Sequence, residues 1–312
     1  MVKKSSTLIF CLACTIMLAC ACDDMDPGDK DSDMGVFVIL HHPQDEDAPQ
    51  VRALNTDFKF SFASSERIDV FAATAGEKMI YRGVPYDENP QMVKFQVENF
   101  QLKDATYYSL YPSQGEEDDP LDIPVSFLGQ EQSADNDASH LSGYDFNVAN
   151  ATISNGRGNF DFTRLVALVR LKLKFPQECR ATSVTLHSAA GFYGTGNINV
   201  VSGTMTPAGH QQTMTLTLGG DGFPVERNGT LTVFFALSPR EGAVESVTVR
   251  ALDGNDQVIS FSGTIDTKDD GTPDAIGTLA ADHGYKRTVT LVSDGNVSHN
   301  ADTGNGLGNW EQ

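Results

Sequence analysis

Short stretches of apolar residues recur along the chain, and they alternate with polar residues in the way that strands do. Residues 58–62 are an example, with every second residue a phenylalanine. Further strands are predicted over residues 68–72, 79–86, 93–97, 107–111, 160–175, 183–187, 196–200, 213–218, 231–237, 244–252, 258–265 and 286–292. Gly, Pro, Asn and Asp separate these stretches, and no capped helix of ten residues is predicted. The pattern predicts an all-β protein built from antiparallel β-sandwiches.

The first strand pattern differs from the others because it does not alternate. It is an unbroken apolar run: Val36, Phe37, Val38, Ile39 and Leu40. The run is too short to span a membrane, and its composition predicts a strand that is buried on both faces. A polar, acidic loop follows and ends at one basic residue, Arg52. The strand–loop–strand layout favours cleavage between Arg52 and Ala53, which would release this strand, and an ordinary loop arginine is the alternative interpretation of Arg52.

The pattern also predicts how the chain divides. Residues 114–143 are acidic and rich in Pro and Ser, which predicts a long surface loop. The longest apolar run lies within residues 160–175 and ends at Pro176. A boundary near Pro176 gives each half about seven strands, the usual number in a sandwich. The predicted domains are therefore residues 53–176 and 177–312, and a break nearer Asn155 remains an alternative.

Composition and charge limit the classes of partner. Of the 312 residues 40% are hydrophobic, which is enough to form folded cores, and the formal net charge is −20. An acidic surface repels phosphate backbones, so the sequence excludes nucleic acid as a partner.

The N-terminus carries the features of a secretion signal. Two lysines precede a short apolar segment that ends in Leu-Ala-Cys-Ala-Cys at residues 18–22. This ending resembles a bacterial lipobox, so we predict a lipoprotein signal peptide over residues 1–21 and lipidation of Cys22. Cys20 is the second candidate, and a plain signal peptide is the alternative. Residues 22–52 would then hold a polar tether and the removable first strand.

Candidate chemistry is sparse in the rest of the chain. Cys179 is the one cysteine outside the leader, so the body has no internal disulfide and no cysteine metal cluster. No Ser–His–Asp order, nucleophile elbow, HExxH motif or P-loop is present, so we expect no enzyme activity and no cofactor. His41 and His42 are interpreted as a polar strand end rather than a metal site. Residues 266–274 resemble a calcium loop, but Lys268 lies where an oxygen ligand belongs, which favours an acidic hairpin loop.

Several segments taken together resemble the Bacteroidales fimbrillin family, of the FimA and Mfa kind. Their sequences are Arg-Ile-Asp-Val-Phe-Ala at 67–72, Tyr-Tyr-Ser-Leu-Tyr-Pro at 107–112, Gln-Glu-Gln-Ser at 130–133, Tyr-Asp-Phe-Asn-Val-Ala at 144–149 and Phe-Asp-Phe-Thr-Arg-Leu-Val-Ala-Leu-Val at 160–169. In the last segment Arg164 stands where the family commonly has His. The order and spacing of the segments, rather than any one of them, carry the resemblance.

The resemblance implies two transthyretin-like antiparallel β-sandwich (Greek-key) domains in tandem. It also implies a lipoprotein that is anchored in the outer membrane, exposed at the cell surface and built into fimbriae. A trypsin-like protease would cut after Arg52 and remove the first strand. A strand of another fimbrial subunit would then fill the groove, giving a head-to-tail polymer that binds a host or bacterial surface ligand.

The C-terminal tail departs from this pattern because few of its residues are apolar. Its candidate donor-strand residues are Val297, Ala301, Leu307 and Trp310, and Trp310 could instead be a packing plug. The sequence therefore leaves open a stalk, tip or anchor position in the fimbria. A surface glycan-binding β-sandwich lipoprotein is the alternative function, and it would require exposed aromatic platforms.

Overall fold

The described part of the chain consists of β-strands joined by turns. A computed structural model of the protein describes residues 35–40, 44–45, 66–72, 78–85, 92–96, 103–115, 119–155 and 157–294. These residues contain one 3₁₀ turn, Ser139–Gly143, and no α-helix, which confirms the predicted all-β class. None of the described helical segments has the length and apolar character needed to cross a bilayer.

The first ten strands lie within residues 35–164. They are β1 (Gly35–Leu40), β2 (Gln44–Asp45), β3 (Arg67–Ala72), β4 (Lys78–Pro85), β5 (Met92–Gln96), β6 (Ala105–Tyr111), β7 (Ile123–Ser126), β8 (Glu131–Gln132), β9 (Asn147–Ile153) and β10 (Arg157–Arg164). The predicted strand at residues 58–62 lies outside the described residues.

Eleven further strands follow. They are β11 (Ala167–Lys174), β12 (Cys179–Asn199), β13 (Thr204–Leu218), β14 (Phe223–Val225), β15 (Thr230–Leu237), β16 (Arg240–Val244), β17 (Ser246–Leu252), β18 (Val258–Thr264), β19 (Ile276–Leu279), β20 (His283–Thr290) and β21 (Val292–Ser293). The predicted strands at 183–187 and 196–200 are two parts of the single long strand β12.

Seven strands close into a barrel in the order β1-β10-β9-β6-β3-β4-β5. Where the side chains of the barrel strands are described, as along β6, β9 and β10, alternate residues point inward, as the period of two requires. The described side chains of its interior are Ile68, Val70, Phe95, Tyr107, Tyr111, Ala149, Ala151, Ile153, Phe160 and Phe162. The opposite faces of β3 and β6 contribute Phe71 and Leu110 to the larger second core.

The second core lies between two sheets with the orders β15-β11-β20-β2 and β21-β18-β17-β12-β13-β8. β7 and β14 also pair with β12, and β16 pairs with β19. The prediction of antiparallel pairing is wrong for four strand pairs, because β1–β10, β11–β20, β2–β20 and β8–β13 are parallel. Hydropathy alternation does not depend on the direction of a neighbouring strand, so it could not distinguish the two arrangements.

The long apolar run at 160–175 is two strands in different sheets rather than one strand. β10 ends at Arg164 in the barrel, and β11 begins at Ala167 in the second core. Between them the amide of Leu165 donates to the Phe146 carbonyl at 2.8 Å, and the amide of Asp282 donates to the Val166 carbonyl at 3.0 Å. All three residues 165–167 are buried, so the pattern of apolar residues continues unbroken across the change of sheet.

The predicted surface loop at 114–143 contains two strands and buried residues. Ile123, Val125 and Phe127 alternate with exposed residues and face the second core. Gln130 and Gln132 are also fully buried. The hydropathy pattern did not indicate this short strand, because acidic residues flank it and Pro124 lies inside it. Pro is uncommon inside sheets.

Candidate functional site

The first strand is the piece that closes the barrel. β1 lies between β10 and β5, parallel to the former and antiparallel to the latter. Its register with β10 runs from Gly35 opposite Arg157 to Leu40 opposite Phe162. We define the seam as the two backbone edges, one of β5 and one of β10, with which β1 pairs.

The β10 edge of the seam belongs to a strand whose alternate side chains fill the barrel interior. Phe160 and Phe162 are buried, whereas Asn159 and Asp161 are exposed. The two phenylalanine ring centroids lie 6.3 Å apart inside the barrel. Val38 is the register partner of Phe160. The backbone of β1 therefore runs directly beside the strand positions that fill the barrel core.

The β5 edge of the seam also belongs to a strand with a side chain in the barrel interior. Phe95, whose side chain is fully buried in the barrel, is the register partner of Val36. If β1 were absent, β5 and β10 would both become edge strands with a row of unpaired backbone N–H and C=O groups. A strand of another chain could satisfy those groups by strand addition, which is an established mode of peptide recognition.

A buried ion-pair cluster lies just beyond the end of the seam. The Arg164 guanidinium donates to both carboxylate oxygens of Asp145, from Nε at 2.5 Å and from Nη2 at 3.0 Å. Its Nη1 also donates to Asp282 at 3.2 Å. Burial by itself would lower the pKa of Arg164, but the two carboxylates outweigh burial and raise it. Burial raises the pKa of Asp282, although Arg164 opposes that shift.

This cluster joins elements of the barrel to the second core. Asp145 precedes β9 and Arg164 ends β10, whereas Asp282 directly precedes β20. Asp145 is fully buried and Arg164 is 1% exposed, so the pair is shielded from water. Sequence reading missed this cluster, although a charged residue placed before the apolar residues 165–169 was a signal that could have indicated a buried pair.

Most of the predicted processing sites are not described by the structure. Cys22, Cys20, Arg52, Ala53 and the histidine pair at 41–42 lie outside the described residues. The same holds for the candidate donor-strand residues Val297, Ala301, Leu307 and Trp310. The backbone of the predicted removable strand, residues 36–40, is described as most of β1.

The last described residues form an edge strand. β21 pairs with β18 through Val292 opposite Ser262 and Ser293 opposite Phe261. The Asp294 carboxylate accepts hydrogen bonds from the Ser260 hydroxyl at 2.9 Å and from the Ser262 hydroxyl at 2.5 Å. The start of the C-terminal tail is thus held against the outer edge of a sheet.

The acidic loop at 266–274 is held by arginines of neighbouring strands and by its own Lys268. Asp274 accepts a hydrogen bond from the fully buried Arg287 at 2.8 Å and lies 3.6 Å from the Lys268 ammonium. Asp269 pairs with Arg170 and accepts from the Thr288 hydroxyl at 3.0 Å. Among the described residues, no group of three or more acidic, His or Cys side chains is arranged to hold a metal ion.

Comparison with known proteins gives a family and a fold. Residues 52–305 match the model of the fimbrillin-like family. A candidate cell adhesion protein of Bacteroides ovatus shares 19% identity over 83% of this chain and 94% of its own, with a TM-score of 0.52. One of Bacteroides uniformis shares 14% identity over 75% of this chain and 92% of its own, with a TM-score of 0.51. No curated protein gives a significant match.

Proposed function

The chain belongs to the fimbrillin-like family, and on that basis we propose that it is a subunit of an adhesive fimbria at the cell surface, either a structural subunit or an accessory one at the tip or anchor. The observation that carries the proposal is the position of β1, which fills the gap between β5 and β10. A structural role, rather than catalysis, fits this family.

The proposed assembly step begins with proteolysis. A trypsin-like protease cuts after Arg52, and Ala53 becomes the new N-terminus. The link between β1 and the rest of the chain is then lost, so β1 can leave the barrel and expose the seam. A strand of the next subunit fills the seam, pairs with both backbone edges and covers Phe160 and Phe162 again. Burial of such side chains contributes roughly 1.5–3 kcal/mol each.

The proposed polymer is open-ended. Each subunit offers a seam at one place and a donor strand at another, so the contact is heterologous and forms a filament rather than a closed ring. The candidate donor is the C-terminal tail with Val297, Ala301, Leu307 and Trp310. A lipid on Cys22, or on Cys20, would hold the precursor in the outer membrane through its buried methylenes.

The proposal includes two tandem transthyretin-like domains in the body of the chain. The sequence places their limits at residues 53–176 and 177–312. Strand pairing favours an earlier boundary, because the chain passes from the barrel to the second core between Arg164 and Ala167. The inserted strands β7 and β8 pair with the C-terminal strands β12 and β13, so the division does not follow the sequence strictly.

Limited proteolysis of the chain without its lipid tests the proposal. A trypsin-like protease should cut after Arg52, and mass spectrometry should find Ala53 as the new N-terminus. Multimers should then appear in size-exclusion chromatography. The matched variant Arg52→Ala should stay uncut at this position and monomeric. If wild-type chain cut after Arg52 keeps residues 35–40 bound and forms no multimers, assembly by strand exchange is wrong.

A further inference from the structure

The segment that contains β1 pairs with two sheets, not only with the barrel. Four residues after Leu40, β2 pairs in parallel with β20, with Gln44 opposite His283 and Asp45 opposite Gly284. β20 belongs to the sheet β15-β11-β20-β2 of the second core. The same short segment therefore closes the barrel and adds an edge strand to the second core.

The partners of the two contacts are close to one another along the chain and across the second sheet. Leu40 lies opposite Phe162, and Gln44 lies opposite His283, which is itself the register partner of Ala167. From Leu40 to Gln44 is four residues, and from Phe162 to Ala167 is five. The two spacings are almost equal, although β20 lies between β2 and β11.

The gap that β2 fills on β20 has a defined end. β11 occupies one edge of β20 along its whole length, so all other partners lie on the opposite edge. On that edge the Thr288 amide donates to the Thr267 carbonyl at 2.9 Å, and Lys268 bridges to Arg287. If the segment before Arg52 left, His283 and Gly284 would lose their described partners on this edge, while Arg287 and Thr288 would keep theirs.

Resting on the proposed function, we propose that the acceptor site is one groove across both sheets, and that the strand donated by the neighbouring fimbrial subunit pairs first with the barrel seam and then with His283 and Gly284 of β20. The donated strand runs parallel to β10. Its chemistry follows from the segment that it replaces, which has five apolar residues at 36–40 and, after three intervening residues, the polar residues Gln44 and Asp45.

A groove over two sheets fixes the register of the incoming strand. A strand that pairs only with β10 and β5 could slip by two residues and still place the same face inward. A slip in the two-sheet groove moves the strand out of register with β20 as well. The Arg164 cluster lies between the two parts, since Arg164 ends β10 and Asp282 precedes His283. It joins the two parts of the groove where the strand must cross.

Hydrogen–deuterium exchange of the full chain before and after cleavage at Arg52 tests the inference. Once the cleaved segment is washed away, exchange should accelerate in residues 157–162 of β10 and also in residues 283–285 of β20. Residues 247–251 of β17 should keep their protection and serve as the internal control. Faster exchange in β10 with no change at 283–285 would overturn the two-sheet groove and leave the proposed function intact. No change in either region would instead contradict the proposed function itself.

Rebinding of synthetic peptides gives the second measurement. A peptide of residues 35–45 should bind the cleaved chain about tenfold more tightly than one of residues 35–40, because it adds backbone hydrogen bonds to β20. The double change Gln44→Pro with Asp45→Pro removes the amide donors and should abolish that gain. The matched change Gln44→Ala with Asp45→Ala should retain it. Equal affinity of all four peptides would refute the contribution of β20.

Discussion

Arg164 keeps its charge inside the protein because two carboxylates surround it. It is 1% exposed, and Asp145 beside it is fully buried. The change Arg164→Ala would leave the Asp145 carboxylate buried with its main counterion gone. Breaking a buried pair in this way typically costs roughly 3–5 kcal/mol. We expect a loss of that size in the free energy of unfolding, measured by guanidinium titration followed by fluorescence.

The control for Arg164 is a cation that lies on the surface. Lys172 is exposed on β11, so Lys172→Ala should change the free energy of unfolding by less than about 0.5 kcal/mol. If the two variants unfold at the same denaturant concentration, the cluster does not hold the barrel to the second core.

Cys179 should be unreactive until the protein unfolds. Cys179 is 6% exposed, and burial, with a smaller effect of Glu178, raises the pKa of its thiol to about 11. At about pH 8 the thiolate fraction is then on the order of one in a thousand, and the thiolate is the form that reacts. In chain that starts after Cys22, iodoacetamide should label native protein far more slowly than protein in guanidinium. Rapid labelling of native protein, followed by mass spectrometry, would contradict the buried position.

The outer edge of β15 is covered by side chains instead of a strand. The Gln130 amide group donates to the Ala236 carbonyl at 2.8 Å and accepts from the Ala236 amide at 2.9 Å. Gln132 does the same further along, accepting from the Phe234 amide at 3.0 Å and donating to the Thr232 carbonyl at 2.9 Å. These two glutamines satisfy an edge that would otherwise be open to other strands.

Replacing either glutamine should therefore expose backbone groups on β15. We expect Gln130→Ala or Gln132→Ala to lower the free energy of unfolding by about 1–3 kcal/mol, because buried backbone groups lose their partners. The neighbouring Glu131 is exposed, so Glu131→Ala is the matched control and should be nearly neutral. Thermal unfolding and light scattering would measure stability and aggregation, and equal behaviour of the three variants would count against edge protection.

Sequence periodicity predicted strands well where one face of the strand is buried and the other is exposed to solvent. β18 and β20 lie within a residue or a few residues of the predicted ranges, since their alternation is a direct consequence of burial. It did not predict which sheet a strand joins. Leu165, Val166 and Ala167 are buried on both sides of the change from barrel to second core, so nothing in their hydropathy marks it.

The candidate site was predicted only in part, because only its apolar residues give a hydropathy signal. The run at residues 36–40 predicted a strand because it is continuously apolar. In the structure the backbone of these residues lies between β5 and β10. Gln44 and Asp45 carry no apolar signal, so their pairing with β20 was not predictable from the pattern. Likewise Gln130 and Gln132 read as loop residues, because amides that satisfy a strand edge look like any other polar side chains.

At the scale of the whole molecule, one segment satisfies the edges of two sheets at once. The barrel is closed only while β1 is in place, and the second sheet ends in β2. In the proposed assembly, the segment that contains β1 and β2 occupies the place that a strand of another subunit would take. In the proposed assembly a chain with this segment in place can donate a strand but cannot accept one.

This asymmetry predicts two kinds of chain terminator. The uncleavable variant Arg52→Ala keeps its groove filled, so it should add to one end of a growing polymer and stop that end. A cleaved chain truncated after Asp294 lacks the candidate donor residues and should stop the other end. Because growth is head-to-tail, one terminator per ten cleaved subunits should limit the mean length to on the order of ten subunits, measured by electron microscopy or mass photometry. Polymers whose length is unaffected by either variant would mean that the subunits do not join through this groove and this tail.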